Sequence, residues 1–243
     1  MTDLHYTNPD LVALYDTFNG WSVDRDFYAG LPGKTPIRIL EVGCGTGLIA
    51  RALALQGHHV TGLDPAQPML DFAAQASGGD KVQWVCGVLV DYDAAPFDLI
   101  FMTGHAFQCM LTNEEISAFF VAAKRLLNED GRLVFETRNP AARGWENWVP
   151  EKTTRTLAMP DGDHVTEWHV LVEVDQDIVA FQSIYQFANH RLVSDSVLRF
   201  ADEDTIRRLA QDVGFVVRSV FGDWDCGPLT DESPEIIMTM TAD

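Results

Sequence analysis

A glycine-rich segment, together with an acidic residue that follows it, has the residue types and spacing of a ligand site. Residues 41–47 read EVGCGTG and follow a run of apolar residues. Glycines at such a turn remove Cβ atoms, so the backbone can approach a ligand, and the next helix offers unpaired N–H groups. Asp64 ends the next apolar run, about 20 residues on, where a carboxylate can accept hydrogen bonds from ribose hydroxyls. The combination predicts a site for an adenosine-containing ligand.

Two other interpretations of this segment stay open on the residues alone. The glycines can serve only to make a tight turn, with Asp64 capping the helix that follows it. The pattern Gly45-x-Gly47-x-x-Ala50 also satisfies the permissive form of a nicotinamide or flavin dinucleotide motif. Glu41 disfavours a dinucleotide because its carboxylate would lie near a pyrophosphate. The same carboxylate suits a ligand that carries an ammonium or sulfonium group.

The elements that must position these residues alternate between strands and helices. Apolar stripes at helical spacing separate the apolar runs, and the last of these helices begins with a capping box at Thr112 and Glu115. Such alternation predicts an α/β fold whose parallel strands are joined by right-handed crossovers. The strands are predicted over residues 37–43, 59–64, 82–87, 97–104 and 132–138, with a turn over residues 128–131 before the last of them.

The pattern changes after residue 140. Three or four strands follow one another without helices, so residues 141–200 are predicted to be an inserted antiparallel sheet. Residues 1–30 are predicted to be a helical cover, and the two final apolar runs a terminal hairpin joined by residues 222–234. We therefore expect one domain over residues 1–243.

Composition and charge limit the classes of partner. The chain has 243 residues with 17 basic and 36 acidic side chains, a formal net charge of −19. Such a charge repels the phosphates of nucleic acids and anionic membrane surfaces, so neither is an expected partner. The four cysteines have no metal-binding spacing, and we expect free thiols and no metal site. The first residues lack a secretory signal, which favours a cytoplasmic protein.

Four segments resemble motifs of the class I S-adenosylmethionine-dependent methyltransferases. They are ILEVGCGTG, GHHVTGLDPAQPML, FDLIFMTGHAFQCML and LLNEDGRLVFET. The resemblance implies a Rossmann-like class I methyltransferase sheet with a C-terminal reversed β-hairpin and an inserted antiparallel β lid. It also implies S-adenosylmethionine as the cofactor, S-adenosylhomocysteine as its product, and a small molecule as the acceptor.

The resemblance further implies which residues contact the cofactor. Asp64 would take the ribose hydroxyls, and Val88 stands where many members have an aspartate that accepts from the adenine amino group. The backbone N–H of Leu89 would serve the adenine ring instead. Glu41 joins the set through the charge argument above. The residues assigned to the cofactor are Tyr15, Glu41, Gly43, Cys44, Gly45, Asp64, Pro65, Met69, Val88, Leu89, Thr103 and Gly104.

Methyl transfer from a sulfonium is an in-line displacement, and alignment of donor and acceptor supplies much of the rate. A general base is therefore optional. His105, just past the fourth strand, is the candidate base; donation to the cofactor carboxylate and a structural role are its alternatives. Arg138, just past the fifth strand, can bind an acidic group of the acceptor or form an ion pair. Aromatic residues of the inserted layer and the last loop are either core or a lid over the acceptor: Trp168, Tyr185 and Trp224.

The leading hypothesis is S-adenosylmethionine-dependent methyl transfer to a nitrogen or oxygen atom of a small molecule. A nicotinamide-dependent oxidoreductase is the alternative enzyme class, because of the dinucleotide pattern. A non-catalytic module that binds an adenosyl ligand and regulates a partner is the third possibility.

Overall fold

Two β-sheets organise the residues that this computed structural model describes, which are 3–159 and 162–243. The larger sheet has the strand order β10-β11-β5-β4-β1-β2-β3. Its strands are β1 (Arg38–Val42), β2 (His59–Asp64), β3 (Gln83–Cys86), β4 (Phe97–Met102), β5 (Leu127–Arg138), β10 (Phe215–Phe221) and β11 (Glu235–Ala242). The smaller sheet has the order β6-β7-β8-β9, with β6 (Arg155–Ala158), β7 (His164–Asp175), β8 (Ile178–Gln186) and β9 (Arg191–Arg199).

The larger sheet is parallel from β3 to β5 and reverses at its end. Strands β1, β2 and β4 are almost entirely buried, as expected when helices cover both faces of a parallel sheet. β11 pairs antiparallel with β5 and with β10, so the last two strands form a reversed hairpin. The predicted fold class, including this hairpin and the inserted antiparallel sheet, is confirmed.

The helices lie on both faces of the larger sheet and in front of the inserted one. They are α1 (Leu4–Thr7), α2 (Pro9–Phe18), α3 (Val23–Gly30), α4 (Leu48–Leu55), α5 (Gln67–Gln75), α6 (Asn113–Leu126), α7 (Pro150–Thr153) and α8 (Glu203–Val213). The predicted capping box is present at the start of α6, where Thr112 accepts from the backbone N–H of Glu115 and the Glu115 carboxylate accepts from that of Thr112. No helix among the described residues is long and apolar enough to cross a lipid bilayer.

Several predicted strand boundaries differ from the observed ones by one or two residues, and one differs by five. The turn predicted over residues 128–131 lies inside β5, which begins directly after α6. Leu127 already pairs with Phe97, and the register then shifts before Arg132 pairs with Leu99. The polar turn residues are thus an irregular start of the strand, and their composition alone could not show that β4 continues beside them.

The N-terminal helices join the two sheets. Leu11, Leu14 and Phe18 of α2 pack against Val165 and Tyr185 of the inserted sheet. The opposite side of α2 contacts α5 through a second cluster, which contains Val12, Ala66 and Met69. Because α2 packs on both, it closes the space between the carboxyl ends of the parallel strands and the inserted sheet.

Candidate active site

The glycine loop follows β1 and leads into α4. Gly43, Gly45 and Gly47 all have positive φ angles, of 68°, 53° and 69°, which L-residues with a side chain rarely adopt. A Cβ on Gly45 would have Tyr15 as its nearest neighbour, at 3.9 Å, so this glycine leaves open space for a ligand. A Cβ on Gly47 would lie 2.1 Å from the ring of Trp84. Gly45 therefore faces the site, whereas Gly47 makes room for a tryptophan.

Asp64 holds this loop in shape. Its carboxylate accepts from the backbone N–H of Gly45 and from that of Ala66, both at 2.8 Å. The side chain is buried, and burial raises the pKa of Asp64 while the two backbone N–H groups lower it. A carboxylate oxygen has two lone pairs, so each oxygen keeps one for a ligand hydroxyl. The contact with Ala66 lies ahead of α5, which has no side-chain cap hydrogen bond, so Asp64 does not cap this helix. Its remaining lone pairs are compatible with the ribose interpretation.

Glu41 lies behind the loop, buried at the end of β1. Its carboxylate accepts from the backbone N–H of Ala50 at 2.9 Å, one of the N–H groups that the first turn of α4 leaves without a helical partner. Burial raises the pKa of Glu41 to about 8. The residue lines a small cavity of about 40 Å³ together with Cys44, Tyr15 and Arg25. A cationic group bound there would neutralise the carboxylate.

The N-terminal helices contribute residues that sequence reasoning did not find. Asp16 of α2 accepts from the Thr46 hydroxyl and forms an ion pair with Arg51 of α4 at 3.2 Å, so α2 is fixed to the glycine loop. Arg25 of α3 lines the small cavity as well and is held by the Asn19 carbonyl at 2.9 Å. No local motif signals these residues, because the folding of α2 and α3 across the sheet brings them to the loop.

A larger cavity of about 640 Å³ extends from the glycine loop to the inserted sheet. Most of the residues predicted for the cofactor line it, with Tyr15 and Gly45 at one end. The predicted site residues in its wall are Tyr15, Gly43, Gly45, Asp64, Pro65, Val88, Leu89, Thr103, Gly104, His105, Arg138 and Tyr185. Residues predicted to contact the cofactor and residues predicted to contact the acceptor therefore line the same cavity.

Three predicted site residues do not line either cavity. Met69 is fully buried, packed between α2 and α5. Trp168 lies on β7 beside Arg191, because strand alternation turns its neighbours Glu167 and His169 toward the cavity instead. Trp224 packs against the aromatic rings of α3, with ring-centroid distances of 5.7 Å and 6.0 Å. These three side chains belong to packing rather than to the cavity wall.

His105 occupies a strained position at the end of β4, where its backbone N–H and its Nε2 have hydrogen-bond partners. Its φ is +59°, and its backbone N–H donates to Glu136 at 2.9 Å. Its Nε2 lies 3.0 Å from both carboxylate oxygens of Glu235, a residue of β11 that sequence reasoning did not select. Burial lowers the pKa of His105 and raises the pKa of Glu235 to about 7. Burial thus favours the neutral form of the imidazole.

Arg138 lies at the end of β5, beside this pair. Its Nη1 donates to Oε1 of Gln108 at 2.7 Å, and its guanidinium carbon lies 5.4 Å from the centre of the Trp148 ring. Gln108 is fully buried and donates its own amide hydrogen to the Arg199 carbonyl at 3.1 Å. Gln108 and Trp148 thus orient the guanidinium, and Gln108 is itself held by the Arg199 carbonyl.

The inserted sheet supplies a polar far wall. Tyr185 contacts Nδ1 of His5 at 2.5 Å, and Arg155 forms an ion pair with the buried Glu167 at 2.6 Å. The Ser183 hydroxyl lies 3.0 Å from Nδ1 of His169. Each of these polar groups thus has a hydrogen-bond or ion-pair partner. Within residues 3–159 and 162–243, no group of three or more His, Cys, Asp or Glu side chains is arranged to hold a metal ion.

Comparisons with known proteins agree with this geometry. A family model described as a methyltransferase domain matches residues 39–131. The ubiquinone biosynthesis O-methyltransferase of Maricaulis maris (strain MCS10) is 29% identical over 155 residues, which are 60% of this chain and 59% of that relative. The chain therefore spans less than two thirds of that protein's length.

Two solved structures share the fold over nearly the whole chain. An S-adenosylmethionine-dependent methyltransferase from Clostridium acetobutylicum ATCC 824 has a TM-score of 0.76 at 14% identity, covering 96% of this chain and 98% of the other. CalS10, an amino pentose methyltransferase from Micromonospora echinaspora solved with S-adenosylmethionine, has a TM-score of 0.70 at 19% identity, covering 95% and 97%. The chain thus contains a segment, residues 39–131, that matches a methyltransferase domain, and it shares its fold with S-adenosylmethionine-dependent methyltransferases of known structure.

Proposed function

We propose that this protein transfers a methyl group from S-adenosylmethionine to a nitrogen or oxygen atom of a small molecule. The observation that carries the proposal is the single cavity that joins the glycine loop to the polar wall of the inserted sheet. A donor held at the loop and an acceptor held at the sheet would meet inside it, and such alignment is the main contribution to an in-line displacement. We assign residues 1–30 and 141–200 the role of covering this cavity.

The residues at the loop fit the cofactor. Asp64 has free lone pairs for a ribose diol. Gly45 has no Cβ and borders open space, so the ligand can come close to the backbone there. Glu41, which lines the small cavity, offers a carboxylate for an ammonium. Arg25 lines the same cavity and is paired with Asp24 at 2.8 Å, and its other N–H groups would face a ligand carboxylate. When bound, the cofactor supplies an electrophilic methyl group on a sulfonium. The protein's own side chains orient both reactants and exclude water.

A thermal-shift experiment tests the cofactor assignment. S-adenosylhomocysteine at 100 times its Kd stabilises the fold by about 2.7 kcal/mol. For a domain of this size we expect an increase in Tm of roughly 5–10 °C. NADH should give no shift. Asp64→Asn should reduce the shift, because one ligand hydroxyl loses its charged acceptor, whereas Asp71→Asn on the exposed surface of α5 should preserve it. A shift with NADH alone would favour the oxidoreductase.

We further propose that His105 accepts the proton of the acceptor and that Glu235 positions its ring. With Nε2–H donating to the Glu235 carboxylate, the neutral ring has its lone pair on Nδ1, which makes no hydrogen bond with the described residues. The left-handed backbone of a non-glycine residue costs about 1–3 kcal/mol, and such strain concentrates at functional sites. Contacts with Glu136 and Glu235 hold the residue there.

The pH dependence of turnover tests this pair. A protonated Glu235 carboxyl group can donate to Nε2 and leave the ring proton on Nδ1, whereas the ionised group only accepts and keeps the Nδ1 lone pair free. The kcat should therefore rise as the pH increases through about 7. His105→Gln should lower kcat about a hundredfold without changing the affinity for S-adenosylhomocysteine. Glu235→Gln should remove the rise with pH, and the exposed Glu232→Gln should keep it. Turnover would be measured as the release of S-adenosylhomocysteine, with acceptors supplied from a metabolite pool. A rise retained in Glu235→Gln would limit Glu235 to a structural role.

A further inference from the structure

Arg138 is a half-buried cation in the cavity wall that has no carboxylate within ion-pairing distance among the described residues. The other arginine on the acceptor side, Arg155, is paired with Glu167 at 2.6 Å. A cation that is taken out of water normally has an anionic partner, because its desolvation is otherwise uncompensated. Arg138 therefore lacks the partner that its surroundings would require in a purely structural role.

The free edge of Arg138 faces the cavity. Only Nη1 donates to a described residue, the buried amide of Gln108. The atoms Nε and Nη2 form no hydrogen bond with the described residues, and neither is a fully enclosed, unpaired atom. The guanidinium therefore presents unsatisfied N–H groups to the open space of the cavity, whose wall includes both Arg138 and Trp148.

Its neighbours fix the guanidinium without neutralising it. Gln108 is uncharged, and the Trp148 ring contacts the cation through its π face. Glu136 accepts hydrogen bonds from the Tyr28 hydroxyl and from the backbone N–H of His105. Glu235 is hydrogen-bonded to the His105 ring. A planar guanidinium held in this way is preorganised for two parallel hydrogen bonds to an anion.

We propose that the methyl acceptor carries a carboxylate and that Arg138 binds it. Gln108 and Trp148 are the positioning residues of this subsite. The inference rests on the proposed function, since it names the class of acceptor for the same cavity. The remainder of the acceptor would lie against Phe181 and the hydrogen-bonded far wall, so a compact acid with an apolar or aromatic body and an amino or hydroxyl group fits.

Calorimetry on the protein saturated with S-adenosylhomocysteine tests the proposal with matched probes. The probes are 4-hydroxybenzoate, 4-aminobenzoate and 3-hydroxypropionate, each compared with its primary amide. We expect at least one acid to bind about tenfold or more tightly than its amide, because a charge-assisted pair replaces a neutral hydrogen bond. If no acid of the set binds more tightly than its amide, the proposal is overturned.

Variants separate this subsite from the cofactor site. Arg138→Gln should abolish the preference for the acid and leave the affinity for S-adenosylhomocysteine within about twofold. Gln108→Leu should reduce the preference, because the cation remains but loses its fixed orientation. The exposed Arg143→Gln, on the same segment and paired with Glu146 at the surface, should change nothing.

Two contrary outcomes are distinguishable. A loss of S-adenosylhomocysteine binding in Arg138→Gln would place the guanidinium in the cofactor site and overturn the assignment to the acceptor. Failure of the wild-type protein to bind S-adenosylhomocysteine would instead contradict the proposed function itself.

Discussion

Two buried carboxylates at the glycine loop, those of Asp64 and Glu41, have different roles. Asp64 shapes the loop and keeps lone pairs for a ligand, and it accepts two backbone N–H groups. Glu41 accepts only one, and burial raises its pKa to about 8. Below that pH the unliganded protein therefore holds Glu41 mostly protonated, whereas a neighbouring cation would favour the ionised form.

Binding of the homocysteine moiety should consequently release a proton. At pH 7 Glu41 is mostly protonated before binding and ionised once the ligand ammonium lies beside it, so we expect close to one proton released for each ligand bound. Calorimetry with S-adenosylhomocysteine in buffers of different ionisation enthalpy measures this number. Glu41→Gln should release none, and the exposed Glu114→Gln should behave like wild type. Equal release by wild type and Glu41→Gln would contradict the assignment.

The glycines of the turn between β1 and α4, and Gly62 of the neighbouring β2, have different structural roles. Gly45 borders open space, whereas Gly47 and Gly62 make room for the Trp84 ring, which is held by a hydrogen bond from its Nε1 to the Gly79 carbonyl at 2.9 Å. The spacing of the glycines is therefore set partly by ligand approach and partly by tertiary packing. Only the former was inferred from the sequence.

Alanine substitutions should separate these two roles. Gly45→Ala and Gly47→Ala both cost about 1–2 kcal/mol, because both glycines have a left-handed backbone. Gly47→Ala also overlaps Trp84, so its free energy of unfolding should fall by about 1–3 kcal/mol more. Gly45→Ala should instead weaken S-adenosylhomocysteine binding. Urea denaturation and calorimetry measure the two effects, and an equal loss of stability in both variants would contradict the packing role of Gly47.

At the scale of the whole molecule, a strongly acidic chain encloses a cavity with a fixed cation. The net charge of −19 repels anions at long range, so recognition of an acid must depend on short-range contacts with Arg138. The same charge acts on the fold, because like charges on the surface repel one another. The exposed ion pairs compensate little, since each contributes less than about 1 kcal/mol.

Salt should therefore stabilise this protein. Raising NaCl from 0.01 M to 0.15 M shortens the screening length from about 30 Å to about 8 Å, which weakens the repulsion between distant surface charges. We expect Tm to increase by a few degrees, measured by calorimetry at constant pH. KCl should give the same increase if the effect is screening, whereas a difference between the two salts would indicate binding of a particular ion. A Tm that falls with salt would contradict the argument.

Local sequence patterns predicted the parallel sheet, the terminal hairpin, the inserted layer and the glycine loop with Asp64. Hydrophobic periodicity, capping residues and glycine positions are local signals, and each was sufficient to specify its element. Strand alternation also places Glu167 and His169 on the opposite face of β7 from Trp168, and only the first two line the cavity.

The contacts between residues far apart in the sequence depend on how the elements pack in the folded chain. Asp16 and Arg25 reach the loop because α2 and α3 fold across the sheet. Glu235 reaches His105 because β11 runs antiparallel beside β5, which brings together residues 130 positions apart. Gln108 orients Arg138, although the two residues are 30 positions apart in the sequence. Periodicity specifies which side of an element is buried, but the partner across the cavity depends on how complete elements pack, which no local pattern contains.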